Sequence, residues 1–135
     1  LVNIYLELRQ KEAKQVPVIV AGDFNGCAKK SAQAEEFIDL ATTDLEGITD
    51  LLNFDDQAAA TQIQFNRKGV IQHLQIDYIF ISPELKPQLL TEKTEVFRYR
   101  SDLQVPLPLP TTLDQRLQLP SDHFPIVATF KNFLK

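Results

Sequence analysis

The run Val16–Gly22, VPVIVAG, is apolar on both faces, and it stops at Asp23, Phe24, Asn25 and Gly26. An apolar, β-branched segment of this kind reads as a strand covered on both sides. Its far end delivers a carboxylate and a carboxamide to the rim of a sheet. A chain built around such a strand needs other elements to cover it, and the flanking sequence offers them. Leu1, Ile4, Tyr5 and Leu8 recur at helical spacing, with Glu7, Arg9, Lys11 and Glu12 for the wet side, which predicts a surface helix to about Lys14. Ser31 is a plausible N-cap for a second helix carrying Ala34, Phe37, Ile38 and Ala41.

Further on, ATQIQF (60–65) alternates as a strand with Ile63 and Phe65 on one face. RKG (67–69) predicts a turn and a hairpin into the next strand, QIDYIFIS (75–82). That strand puts Ile76, Tyr78 and Phe80 on one side and Gln75, Asp77, Ile79 and Ile81 on the other. A helical turn is expected around Leu51 and Leu52, and a second one from Ser82 and Pro83 through Leu85. TEVFRYRS (94–101) and FPIVATF (124–130) read as two more strands. The leucine- and proline-rich stretch 102–120 shows no period and exceeds the usual loop limit of about 15 residues, which marks it as a functional or mobile loop. Strands interrupted by helices yet joined by a hairpin give an α/β or α+β fold with a mixed, mostly antiparallel sheet.

The 135 residues suit one domain, and neither a repeat nor a domain boundary is visible. With a net charge of −4, the chain has no bulk attraction to a polyanion, so nucleic-acid binding needs a local basic cluster. The single cysteine, Cys27, excludes an internal disulfide framework and a cysteine-based zinc site, and reads as a small packed residue. No apolar run reaches the roughly 18 residues of a membrane span, and no signal peptide is visible. The compartment is left open, with the cytoplasm as the default expectation.

Three polar groups sit against strands: Asp23 with Asn25, Asp77, and Asp122 with His123. Each has an ordinary explanation: GDFN as a turn, Asp77 at a sheet edge, SDH as a loop leading into a strand. His73 has no supporting motif and reads as structural. A carboxylate in an apolar strand costs several kcal/mol unless paired, however, and the economical solution is that these groups meet.

GDFN (22–25), IDYIF (76–80) and SDHFPI (121–126) resemble the three C-terminal signatures of the metal-dependent endonuclease/exonuclease/phosphatase superfamily. Its members include DNase-like nucleases, abasic-site endonucleases, inositol polyphosphate phosphatases, sphingomyelinases and deadenylases. The resemblance implies an α/β four-layer sandwich, two sheets face to face with helices outside, of which residues 1–135 are the C-terminal part, about half. It implies a phosphoester hydrolase, most simply a nuclease-type phosphodiesterase, using Mg²⁺ or Mn²⁺. In it Asp23 orients and deprotonates the attacking water, and Asn25 holds that geometry and contacts the phosphoryl group. His123 contacts the phosphate, Asp77 fixes its tautomer, and Asp122 lies at the metal directly or through water. Gly22 and Gly26 let backbone and substrate approach closely, while Ser121, Phe124 and Pro125 support the loop.

The superfamily's first half carries an asparagine and a metal-binding glutamate that have no matching position here. Weak metal binding, little activity and an exposed apolar sheet face are therefore expected, with Ile76, Tyr78, Phe80, Phe124, Ile126 and Phe130 as that face's candidates. A missing N-terminal half, or a homodimer partner, would cover it. The alternatives are a non-catalytic binding module that retains the fold, or a phosphatase- or sphingomyelinase-type hydrolase. Basic residues that could serve a phosphate substrate are Lys29, Lys30, Arg67, Lys68, Arg98 and Arg100.

Overall fold

The structure, a computed structural model, describes residues 1–11, 16–29 and 34–131. Helix α1 (Val2–Lys11) leads to β1 (Ile19–Asp23), and a 3₁₀ turn (Glu35–Phe37) runs into α2 (Ile38–Ala41). Next come β2 (Glu46–Gly47), α3 (Ile48–Leu51), α4 (Asp56–Ala59), β3 (Gln62–Phe65), β4 (Ile71–Leu74) and β5 (Asp77–Ile81). Two 3₁₀ turns (Pro83–Gln88 and Thr91–Lys93), β6 (Glu95–Val96), α5 (Leu113–Leu117) and β7 (Ile126–Val127) complete the described chain. Ser31 and the end of the first predicted helix lie outside the described residues.

The fold is α+β. Its strands form three small sheets, ordered β1-β5-β2, β3-β4 and β6-β7, and every ladder among the described residues is antiparallel rather than mixed. The predicted hairpin exists, but its second arm is β4, closed by Gly69 at φ 73°. β5 instead leaves for another sheet, where it pairs with β1 along five residues. The two C-terminal strands are shorter than expected, two residues each.

β5 alternates as its sequence demands. Tyr78 and Phe80 enter a core with Tyr5, Leu40 and Leu45, while Ile79 and Ile81 pack against Ile48, Leu85 and Leu89. A third core joins Ile63, Val96 and Phe124. The apolar face expected to be bare is therefore mostly spent inside the chain: Ile76, Tyr78, Phe80 and Phe124 are buried. Ile126 and Phe130 are half-buried against the cores. The strand covered on both sides is β5, not β1. As an edge strand, β1 turns Val18 and Val20 toward the core and leaves Ile19 46% exposed.

α1 also turns differently from its apolar periodicity. Val2 and Tyr5 face the core together with Arg9, which is 6% exposed, while Leu1, Ile4 and Leu8 face out. Electrostatics decides this. The Arg9 guanidinium meets Glu84 at 2.7 and 2.9 Å and Asp44 at 3.2 Å, and lies 5.7 Å over the Tyr5 ring. Such a two-pronged pair is stronger than a single contact. The Tyr5 hydroxyl donates to Asp44 as well. Burial, then this carboxylate, push the Tyr5 hydroxyl pKa up, and the Arg9 hydrogen bonds pull Glu84 down to about 2.

Because the folded-state pKa of Glu84 lies below its ordinary value, the Arg9–Glu84 pair stabilises the fold above about pH 4.5 and is lost as pH falls toward 2. Urea midpoints should drop across that window, and Glu84→Gln should be less stable at neutral pH and show a shallower acid decline. An identical acid profile in the variant would refute the assignment.

Candidate active site

The site begins with a register. In the β1–β5 ladder Asp23 stands directly opposite Asp77. Directly opposed residues share a face with their side chains about 5 Å apart, so the fold sets two carboxylates side by side. His123 joins them from a segment nearly fifty residues farther along, and its Nδ1 lies 3.0 Å from Asp77 Oδ2. One ligand atom from each of Asp23, Asp77 and His123 falls within 4.8 Å of the others. All three line an open cleft of about 480 Å³, walled by Ala21, Ile79, Tyr99, Phe124 and Ile126.

GDFN is divided by function. Phe24 turns inward, its ring 5.5 and 5.4 Å from Tyr78 and Phe80 in edge-to-face contact, and its N–H donates to Ile76 O at 2.7 Å. That aromatic anchor fixes Asp23 on one side of it and Asn25 on the other. Asn25 takes φ 53°, a left-handed conformation that asparagine tolerates, and its N–H donates to Asp23 Oδ1 at 2.7 Å. Asn25 lines a neighbouring cavity of about 380 Å³, with Lys29, Asp56, His73 and Gln75, rather than the cleft of Asp23. Gly26 is required by close packing, since a Cβ there would meet the Phe37 ring at 2.8 Å, whereas a Cβ on Gly22 would meet nothing within 4 Å.

Thr61, fully buried, holds the other half. Its hydroxyl accepts from the N–H groups of Ile76 and Asp77 at 3.1 and 3.0 Å, where β5 begins and β2, which pairs only with Phe80 and Ile81, does not reach. Its carbonyl accepts from Phe124 N–H at 2.8 Å, and Ile63 N–H donates to Asp122 O at 2.9 Å, which draws SDHF against β3. Ser121 Oγ accepts from His123 N–H at 3.1 Å, and Tyr99 donates its hydroxyl to His123 O at 3.1 Å. Gln62 Nε2 lies 3.2 Å from His123 Nε2, so both ring nitrogens are engaged. Thr61 and Gln62 escaped the sequence reading because nothing but their neighbourhood distinguishes them from other polar strand residues.

Asp122 does not join the cluster. Its carboxylate pairs with Arg116 at 3.2 Å. Arg116 comes from α5, inside the stretch 102–120, which is therefore not a structureless loop: Thr112 caps the helix and Pro110 O meets His73 Nε2 at 3.0 Å. That contact gives the His73 ring a partner in the stretch 102–120. The basic residues proposed for substrate are largely occupied. Arg98 donates to the carbonyls of Gln57, Ala58 and Ala60 and lies 4.9 Å over Phe124, its pKa lowered by burial. Arg100 bonds Gln104 O at 3.0 Å, Lys29 approaches Asp56 at 3.9 Å, Arg67 and Lys68 sit on the exposed β3–β4 turn, and Lys30 lies outside the described residues.

The chain matches no protein-family model, no curated protein and no solved structure, so the functional reading rests on the geometry of the site and the sequence motifs.

Two variants test this construction. Thr61→Val keeps the shape but strands two backbone donors, and should cost about 1–3 kcal/mol of unfolding free energy. Asp23→Asn removes one of two facing charges while keeping the acceptor for Asn25. Without divalent ions it should leave stability unchanged or raise it by up to about 1 kcal/mol. A clear loss of stability in Asp23→Asn would show that the two carboxylates do not oppose each other.

Proposed function

We propose that the chain carries a phosphoester-hydrolase site of the metal-dependent endonuclease/exonuclease/phosphatase type, most simply that of a phosphodiesterase. The observation that carries this reading is the meeting of Asp23, Asp77 and His123 within 4.8 Å, from three separate motifs. The α+β arrangement then corresponds to about half of a two-sheet, four-layer sandwich.

The donor set suits a hard divalent cation. Two carboxylates held face to face repel unless a positive charge lies near them, and Mg²⁺ is commonly held by one or two carboxylates with waters and substrate oxygens filling the other positions. Asp77 is the residue that would hold Mg²⁺ or Mn²⁺, with the Asp23 carboxylate opposite it in the ladder. His123, with Nδ1 taken by Asp77, keeps Nε2 for the phosphate, and Asp122 is committed to Arg116. When bound, the cation supplies charge neutralisation at the phosphoryl oxygens.

The chain's own groups do the rest. Asp23 gives one oxygen to Asn25 N–H, which fixes the plane of the carboxylate, and its other oxygen can take a proton from a water in the cleft. Asp77 accepts from His123 Nδ1 and so sets the ring's edge toward the phosphate, the usual way a carboxylate orients a working imidazole.

Adding Mn²⁺ should broaden backbone resonances of residues 22–24, 76–78 and 122–124 selectively, because the ion is paramagnetic. Hydrolysis of a simple aryl phosphodiester with Mg²⁺, however slow, should fall about 10²- to 10⁴-fold in His123→Ala. Uniform or absent broadening, together with turnover indifferent to His123, would remove the reading.

A further inference from the structure

The hydrolase reading leaves Gln62 without a task, yet its carboxamide sits on the ring of His123. The placement is built by backbone. The bonds from Ile63 N–H to Asp122 O and from Phe124 N–H to Thr61 O flank an antiparallel bridge that sets Gln62 directly opposite His123. In that flanked position paired residues approach most closely and their side chains share a face. The Gln62 side chain is thus held against the imidazole by strand register, not by a chance rotamer.

The two contacts on the ring specify its protonation pattern. A carboxylate only accepts, so the 3.0 Å contact with Asp77 needs a proton on Nδ1. An amide nitrogen only donates, so the 3.2 Å contact with Gln62 Nε2 needs a lone pair on His123 Nε2. Both conditions are met by one form, the neutral Nδ1–H tautomer. Nε2 is also the nitrogen left to meet a ligand in the cleft, since Nδ1 is taken. A phosphate group, whose oxygen meets this nitrogen only with a proton between them, and the Gln62 amide cannot occupy it together.

We propose that Gln62 is a positioning residue for His123: its amide holds the ring in the Nδ1–H tautomer and covers Nε2, and a phosphate reaches that nitrogen by displacing the amide, with the proton the new contact needs carried in as the phosphate's own P–O–H or taken from solvent. The first half stands on geometry alone. The second rests on the hydrolase reading. After displacement the register keeps the carboxamide beside the ring, where its N–H groups can donate to the same phosphate.

Long-range ¹H–¹⁵N correlation of the imidazole rings tests this at about pH 8, with the His123 signals identified by their loss in His123→Asn. The wild type should show a protonated Nδ1 and a lone-pair-type Nε2, well separated in shift. Gln62→Met, similar in length but without a donor, should move the two nitrogens toward averaged values while leaving the His73 signals in place. A wild-type ring protonated on Nε2 overturns the proposal without reference to any variant, and so does a ring unmoved in Gln62→Met. Inorganic phosphate with Mg²⁺ should then shift the wild-type Nε2 and the Gln62 side-chain amide together. If the variant behaves as expected but phosphate moves neither signal, the positioning role stands and the hydrolase reading falls. If phosphate shifts Nε2 and leaves the Gln62 amide unmoved, the displacement is refuted and the hydrolase reading survives.

Discussion

One buried hydroxyl ties together the parts of the molecule that matter most. Thr61 Oγ1 accepts two consecutive backbone N–H groups at the start of β5, and the backbone of the same residue bonds to Leu74 O and Phe124 N–H. A strand that begins inside a protein must find acceptors for its first donors, and here β2 pairs with β5 only from Phe80 onward. The side chain supplies them. In doing so it fixes Asp77 relative to β3, and β3 in turn fixes His123 through its own backbone pairing. The spacing of the imidazole and its carboxylate partner follows from these bonds more than from any direct attraction.

Around that hinge the fold accepts an electrostatic penalty. The antiparallel register of β1 and β5 could have placed any pair of residues at its end, and it places two aspartates there. Like charges directly opposite are unfavourable, so other interactions must hold the ladder closed. The ring of Phe24 between Phe37, Tyr78 and Phe80 does so on one side of Asp23, each aromatic pair adding about 0.5–1.5 kcal/mol beyond burial. At the far side of the same core, Arg9 clamps α1 to Glu84 and Asp44. A local conflict maintained by well-packed surroundings is the ordinary signature of a working site.

What could be read along the chain was what local periodicity records. The alternation of Tyr78 and Phe80 against Ile79 and Ile81, the helical turns at Leu51 and Pro83, and the break at GDFN are all written in neighbouring residues. The rotation of α1 was not legible, because its apolar stripe points one way and the partners of Arg9 lie 35 and 75 positions away. Nor was the fate of Asp122. Its motif puts it beside His123, but α5, which the sequence did not announce, brings Arg116 within 3.2 Å of its carboxylate. Asn25, at a left-handed backbone position, lines the neighbouring cavity instead of the cleft.

By itself, then, the amino-acid order determined which residues could do chemistry and where β1, β3 and β5 would lie, since both depend on residue type and near neighbours, while β2 and β4 were not legible in it. Only the tertiary structure decided which of those residues meet. Long-range register set Asp23 against Asp77, the Thr61 bonds carried His123 to them, and Gln62 became its neighbour by pairing across 61 positions. Hydrogen bonds between distant strands are satisfied by geometry that no local pattern encodes, and that geometry separates a set of polar residues from a site.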